Sequence, residues 1–152
     1  MKIAGLWLAA AASAFGAASL SLAGEASRLP LNSDVTQTTI AATICQAGWT
    51  RTIRPYVGVM KQIKAALLTA AGEPIERRNR YELDHRIPLA LGGAAIDRRN
   101  LVLQPIDEAR EKDAVETCLS SLVCQGKIAL DDAQSAIWED WRAAGELCEE
   151  RW

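Results

Sequence analysis

The sequence predicts an α+β domain in an exported chain, and three observations predict it. Apolar residues recur at helical spacing in three stretches, two short apolar runs flank a loop broken by proline and glycine, and four cysteines follow an apolar leader.

The leader comes first. Met1-Lys2, an apolar run from Ile3 to Ala18 and small residues ending at Ala23 read as a secretory signal peptide over residues 1–23, cleaved after Ala23 or Ala26. Ser13 and Gly16 interrupt a run already shorter than the roughly 20 apolar residues that span a bilayer, so no membrane association is expected after cleavage. The expected location is periplasmic or secreted. Residues 24–35, with Pro30 and Asn32-Ser33-Asp34, read as a loose linker, and a single domain is expected over 36–152. That length buries a core without a metal to hold it, so any metal would serve chemistry.

From Thr36 to Cys45 the mixture of threonine, isoleucine and alanine fits a short strand or a helix, and Trp49 to Arg54 alternates enough to be extended before Pro55. Val57 to Ala71 is a helix, with Met60, Ile63, Leu67 and Ala71 on one line and Gly72 and Pro74 as its stop. Glu76 to Arg80 reads as a charged loop and Tyr81 to His85 as a strand. A loop with Pro88 and Gly92-Gly93 leads to a second strand at Leu101 to Leu103. Ile106 to Cys124 is a helix stopped by Gly126, and Asp131 with Gln134 resembles a capping box opening a last helix through Ile137, Trp141 and Ala144. Trp138 and Trp141 are expected to pack in the core rather than stack on bases.

Cys45, Cys118, Cys124 and Cys148 in an exported chain are expected to form two disulfides. Cys118 and Cys124 lie on different faces of one predicted helix, so Cys45 pairs with one of them. A zinc site would need a closely spaced cysteine pair, which the sequence lacks.

The net charge of -2 argues against a broad nucleic-acid grip. Its distribution is uneven: residues 51–100 hold ten Lys and Arg against five Asp and Glu, while residues 101–152 hold five against twelve. Arg77, Arg78, Arg80, Arg86, Arg98 and Arg99 bracket the one histidine, His85. Imidazole, with an unperturbed pKa of about 6.5, accepts a proton near neutrality, and the adjacent Asp84 offers the hard oxygen that magnesium or manganese prefers. On a strand adjacent side chains face opposite ways, so the two share a site only if the backbone turns or if they flank a substrate phosphate.

The run Tyr81-Glu82-Leu83-Asp84-His85-Arg86-Ile87-Pro88-Leu89-Ala90-Leu91-Gly92-Gly93, followed by Asp97-Arg98-Arg99-Asn100-Leu101 and Lys112, resembles the HNH nuclease motif. It is similar in particular to a group of small exported bacterial proteins with an Asp-His-x-x-Pro-Leu-x-Leu-Gly-Gly core and a downstream Asn-Leu. The resemblance covers residues 81–113, and Thr43-Ile44-Cys45, Gly48-Trp49-Thr50-Arg51, Leu122-Val123-Cys124 and Gly126 extend it.

The resemblance implies a ββα-metal unit built from the two strands and the helix from about Ile106. His85 would be the general base that activates water, Asp84 a metal ligand, and Asn100 the amide that holds the long loop and so orients the histidine. The ion would be magnesium or manganese, with zinc or nickel as alternatives, and would stabilise charge on the scissile phosphate and leaving oxygen. The family places a second ligand about nine residues after the asparagine, where this chain has Ala109. Glu108 and Glu111 are the nearest replacements, and Asp107 is a weaker one. Arg86, Arg98, Arg99 and Lys112 are the candidate substrate contacts, with ordinary loop charge as the alternative for the arginines. By the same analogy Cys45 pairs with Cys124 and Cys118 with Cys148.

Three functions follow as expectations. The first is a metal-dependent endonuclease acting on DNA or RNA outside the cytoplasm. The second is a non-catalytic exported binding or structural domain on the same scaffold, and the third a hydrolase of another phosphoester.

Overall fold

A computed structural model describes residues 29–151. The expected leader and residues 24–28 of the expected linker lie outside the described residues. The fold is α+β: a two-stranded antiparallel sheet beside a set of helices, cross-linked by two disulfides.

Trp49–Ile53, expected to be extended, is instead one helical turn, α1. Gly48 turns the chain into it at φ 81°, and Arg54 returns to extended backbone because Pro55 follows. Helix α2 spans Val57–Ala70 and buries Ile63 and Leu68. The amides of Gly72 and Glu73 close its last turn onto the carbonyls of Thr69 and Leu68. The expected charged loop is a 3-10 turn, Ile75–Arg80.

Strand β1, Tyr81–His85, pairs with β2, Leu101–Pro105, with His85 opposite Leu101 and Tyr81 opposite Pro105. The second strand runs two residues past the expected end. Helix α3, Ile106–Cys124, has the expected bounds. Its Leu119, Leu122 and Val123 are fully buried at the centre of the core, against Ile87 and Leu91 of the interstrand loop and Ala133 and Ile137. Each such aliphatic side chain contributes about 1.5–3 kcal/mol on burial. Gly126 ends the helix at φ 69°, where its amide and that of Lys127 return to Val123 and Leu122.

The last helix is not continuous. It divides into α4, Leu130–Glu139, α5, Trp141–Ala144, and α6, Glu146–Arg151. Asp140 breaks it, because its carboxylate caps the Arg142 amide at 2.8 Å and holds the backbone extended. Nor does Asp131 cap α4. Its carboxylate accepts from the neighbouring Asp132 amide, and the Leu130 amide is capped from afar by Gln37 Oε1 at 2.7 Å. Gln134 is buried, donating 2.8 Å to the Leu91 carbonyl. Trp138 and Trp141 pack against the core as expected.

The segment 29–35, expected to be loose, is pinned. Asn32 N–H donates to Gly92 and Ala94 N–H to Pro30, both at 2.8 Å, while Val35 enters the core. The expectation rested on turn-forming residues, which say nothing of long-range partners. Residues 36–45 form turns and a short 3-10 helix, Ile40–Ala42.

The structure pairs Cys45 with Cys124 and Cys118 with Cys148. Both bridges start from α3 and reach the first and last parts of the described chain. Among the described residues no helix is long and apolar enough to cross a membrane.

Candidate functional site

The site is built around the end of β1. Asp84 and His85 line one cleft of about 400 Å³, together with Arg54 before α2, Leu89 of the loop, and Asp113 and Glu116 of α3. A larger hollow of about 670 Å³ beside the Cys118–Cys148 bridge is lined by Asp113, Thr117 and Glu149 but not by His85.

The His85 ring is fixed through Nε2, which lies 3.0 Å from the Ala95 carbonyl. A carbonyl only accepts, so Nε2 carries the proton and Nδ1 is left with its lone pair. No hydrogen bond from the described residues goes to Nδ1. Burial lowers the His85 pKa from 6.5, with Lys112 and Arg54 lowering it further and the Ala95 bond and Asp84 opposing. The ring is therefore neutral near pH 7, the state a proton acceptor needs.

Ala95 is in turn held in place. Asn100, fully buried, accepts from Ile87 N–H at 2.8 Å and donates to the Ile87 and Ala94 carbonyls at 2.9 and 3.0 Å. Gly93 lies so close that a Cβ there would sit 1.8 Å from the Ile87 carbonyl oxygen and 2.7 Å from Asn100 Nδ2. Only glycine admits this approach. With the Pro30–Asn32 segment on one side and Asn100 on the other, the loop presents its carbonyl to His85 from a fixed position.

Asp84 faces α3. Its Oδ1 accepts from the His85 amide at 2.8 Å, and its Oδ2 accepts from Lys112 Nζ at 2.9 Å. Lys112 is buried and also donates to the His85 carbonyl at 2.8 Å and to Glu116 Oε1. Burial opposes its charge, yet Glu116 and Asp84 outweigh burial and raise the Lys112 pKa. Burial pushes the Glu116 carboxyl up to about 7, with Lys112 pulling it down and Asp84 and Asp113 adding to the rise.

The structure does not bring all the expected residues together. Glu108 pairs with Arg142 at 2.8 Å and lines a different hollow from Asp84, and Glu111 is exposed on α3. Among the described residues no group of three His, Cys, Asp or Glu is arranged to hold an ion. The expected ligands Asp84, Glu108 and Glu111 therefore do not fit a resident divalent cation, because they do not converge and an ammonium already holds Asp84. Lys112, expected as a substrate contact, spends its three N–H donors inside the protein. Arg86 lies over the Trp138 ring, 3.6 Å from its centroid, and donates to the Trp138 carbonyl, away from the cleft. Arg98 and Arg99 sit on the turn before β2, outside the cleft lining, and Arg99 pairs with Asp97 at 2.7 Å.

Two residues that sequence reasoning passed over belong to the cleft. Arg54 is exposed, makes no hydrogen bond or ion pair among the described residues, and faces the His85 side of the cleft. Glu116 lies one helical turn beyond Lys112, a spacing that the sequence displays and that identifies the pair once Lys112 is known to be buried. Nothing near Arg54 in the sequence singles it out from the other arginines.

No protein-family profile matches the chain, and comparison with curated proteins and with solved structures finds no match either.

Proposed function

We propose that this chain is a phosphodiester hydrolase that cleaves DNA or RNA outside the cytoplasm, on an HNH-like strand-strand-helix unit, with His85 as its general base. One observation carries the reading: a half-buried, neutral imidazole is anchored through Nε2 to Ala95 and borders a cleft with an unpaired arginine at its edge. His85 Nδ1 takes a proton from water, the hydroxide oxygen bonds to phosphorus, and the P–O ester bond breaks. The leaving oxygen takes its proton from solvent. Arg54 meets the phosphate charge.

The resemblance over residues 81–113 supports the same assignment, and the two disulfides accord with life outside the cytoplasm. Tyr56, 77% exposed in the turn that carries Arg54, gives a nucleobase a ring to stack on. That favours a polynucleotide over a simple phosphoester.

A non-catalytic binding domain is the second reading, favoured by the bond that closes Asp84 against Lys112. The experiment separating them incubates the purified chain and His85→Ala with plasmid, RNA and a simple phosphodiester ester. The hydrolase reading expects polynucleotide cleavage that falls at least about 100-fold in the variant. Cleavage that survives the substitution removes His85 from the mechanism. An inert wild-type chain removes the hydrolase reading, and activity on the simple ester alone rules out a nuclease.

A further inference from the structure

The cage of oxygens around Lys112 is the least expected feature of the site. Its ammonium has three N–H donors, and three acceptors surround it: Asp84 Oδ2 at 2.9 Å, the His85 carbonyl at 2.8 Å and Glu116 Oε1. Its side chain is only 3% exposed, so the charge survives burial through these partners alone. We propose that the Lys112 ammonium is the site's built-in cation, taking the position between Asp84 and Glu116 that a divalent metal would otherwise fill, so that the cleft works without one.

Three features point the same way. A magnesium or manganese ion needs carboxylate and carbonyl oxygens around one point. Here one oxygen each of Asp84 and Glu116 is turned onto the ammonium, while the other Asp84 oxygen accepts from the His85 amide. Ala109, three residues before Lys112 on the same helical face, is 2% exposed, so the position where the resemblance expects a ligating side chain presents only a methyl group. And Lys112 holds the His85 backbone carbonyl directly, which ties the cation to the residue that takes the proton. Lys112 is here a positioning residue, because its donors are all used within the protein. The inference deepens the hydrolase reading of this cleft and rests on it for the statement about activity.

The test titrates manganese(II) into the purified full chain, following the free-ion electron paramagnetic resonance signal, with Asp84→Asn and Lys112→Met alongside. Wild type is expected to leave the signal unchanged up to about 1 mM ion, weaker than a built carboxylate site holds its cation. Lys112→Met, with two carboxylates left facing each other, is expected to take up one equivalent. Uptake of one equivalent by wild type that Asp84→Asn abolishes overturns the proposal. Should Lys112→Met not fold, the wild-type titration decides alone. Cleavage by wild type is expected to persist in excess chelator, and its complete loss there also overturns the proposal. A chain that takes up no ion and cleaves nothing under either condition defeats the hydrolase reading, and with it the claim that the cleft works metal-free.

Discussion

The His85 ring and the Ala95 carbonyl, ten residues apart in sequence, meet at 3.0 Å across the interstrand loop. That contact fixes which nitrogen carries the proton. Because burial lowers the His85 pKa, the base form is already present at neutral pH and is lost only as pH falls through a value below 6.5. The acid limb of kcat/KM is expected to have its midpoint below 6.5. A pH–rate profile on a labelled oligonucleotide checks this, and a midpoint at or above the free imidazole value contradicts it.

Arg54 pushes against protonated His85 and lines the same cleft. Arg54→Ala is expected to shift that limb upward, raise KM and flatten the dependence of binding on salt, since one phosphate contact is gone. Arg86→Ala, away from the cleft, is expected to leave kcat/KM within about twofold while lowering the melting temperature through the lost stack on Trp138. Steady-state kinetics of the two variants at two ionic strengths separates the roles.

Asn100 satisfies three backbone groups at once. Asn100→Ala leaves them buried without partners and is expected to destabilise the protein by about 3 kcal/mol or more, read from urea unfolding. Gly93→Ala is expected to act through the same loop, because the added methyl group meets the Ile87 carbonyl. A stability within about 0.5 kcal/mol of wild type in both variants contradicts this account of the loop.

Much of this arrangement was legible in the sequence, and what was not has physical reasons. Helix α3 and the two strands followed from periodicity and breakers. The disulfide pairs follow the analogy with the exported group. The turn at Trp49–Ile53 was misread because five residues are too few to separate alternation from one helical turn. The break at Asp140 was hidden by apolar spacing that continues across it. The burial of Lys112 was illegible, since a lysine inside a charged helix reads as solvated until the opposing strand is placed. The same holds for Gln37 and for the Pro30–Asn32 segment, whose partners lie far along the chain.

That segment has a testable role. Leu31 bridges Gly93, and Asn32 N–H reaches Gly92. A chain beginning at Val35 is expected to exchange the loop amides near Ala94 faster and to lose activity more than stability. Hydrogen-exchange mass spectrometry on the two chain lengths reads this, and unchanged protection at residues 91–96 speaks against it.

Glu116 gives stability a dependence on pH. Its folded pKa of about 7 lies above the ordinary 4.5, so its protonated form is the one folding favours. The contribution is complete below 4.5 and fades as pH rises through about 7. Glu116→Gln is expected to flatten the wild-type loss of stability between those values. Denaturant midpoints at pH 4.5, 6 and 8 measure it, and parallel slopes in both proteins refute the assignment.

The two bridges give the fold a tolerance of damage to its backbone. Arg77, Arg78 and Arg80 stand exposed on the turn between Cys45 and Cys124, where a trypsin-like protease finds ready sites. A cut there separates two pieces that remain covalently joined, so the nicked chain runs as one species until a reductant parts it. Such a nicked protein holds its pieces together through the bridge, so thiols as much as cleavage decide when they part.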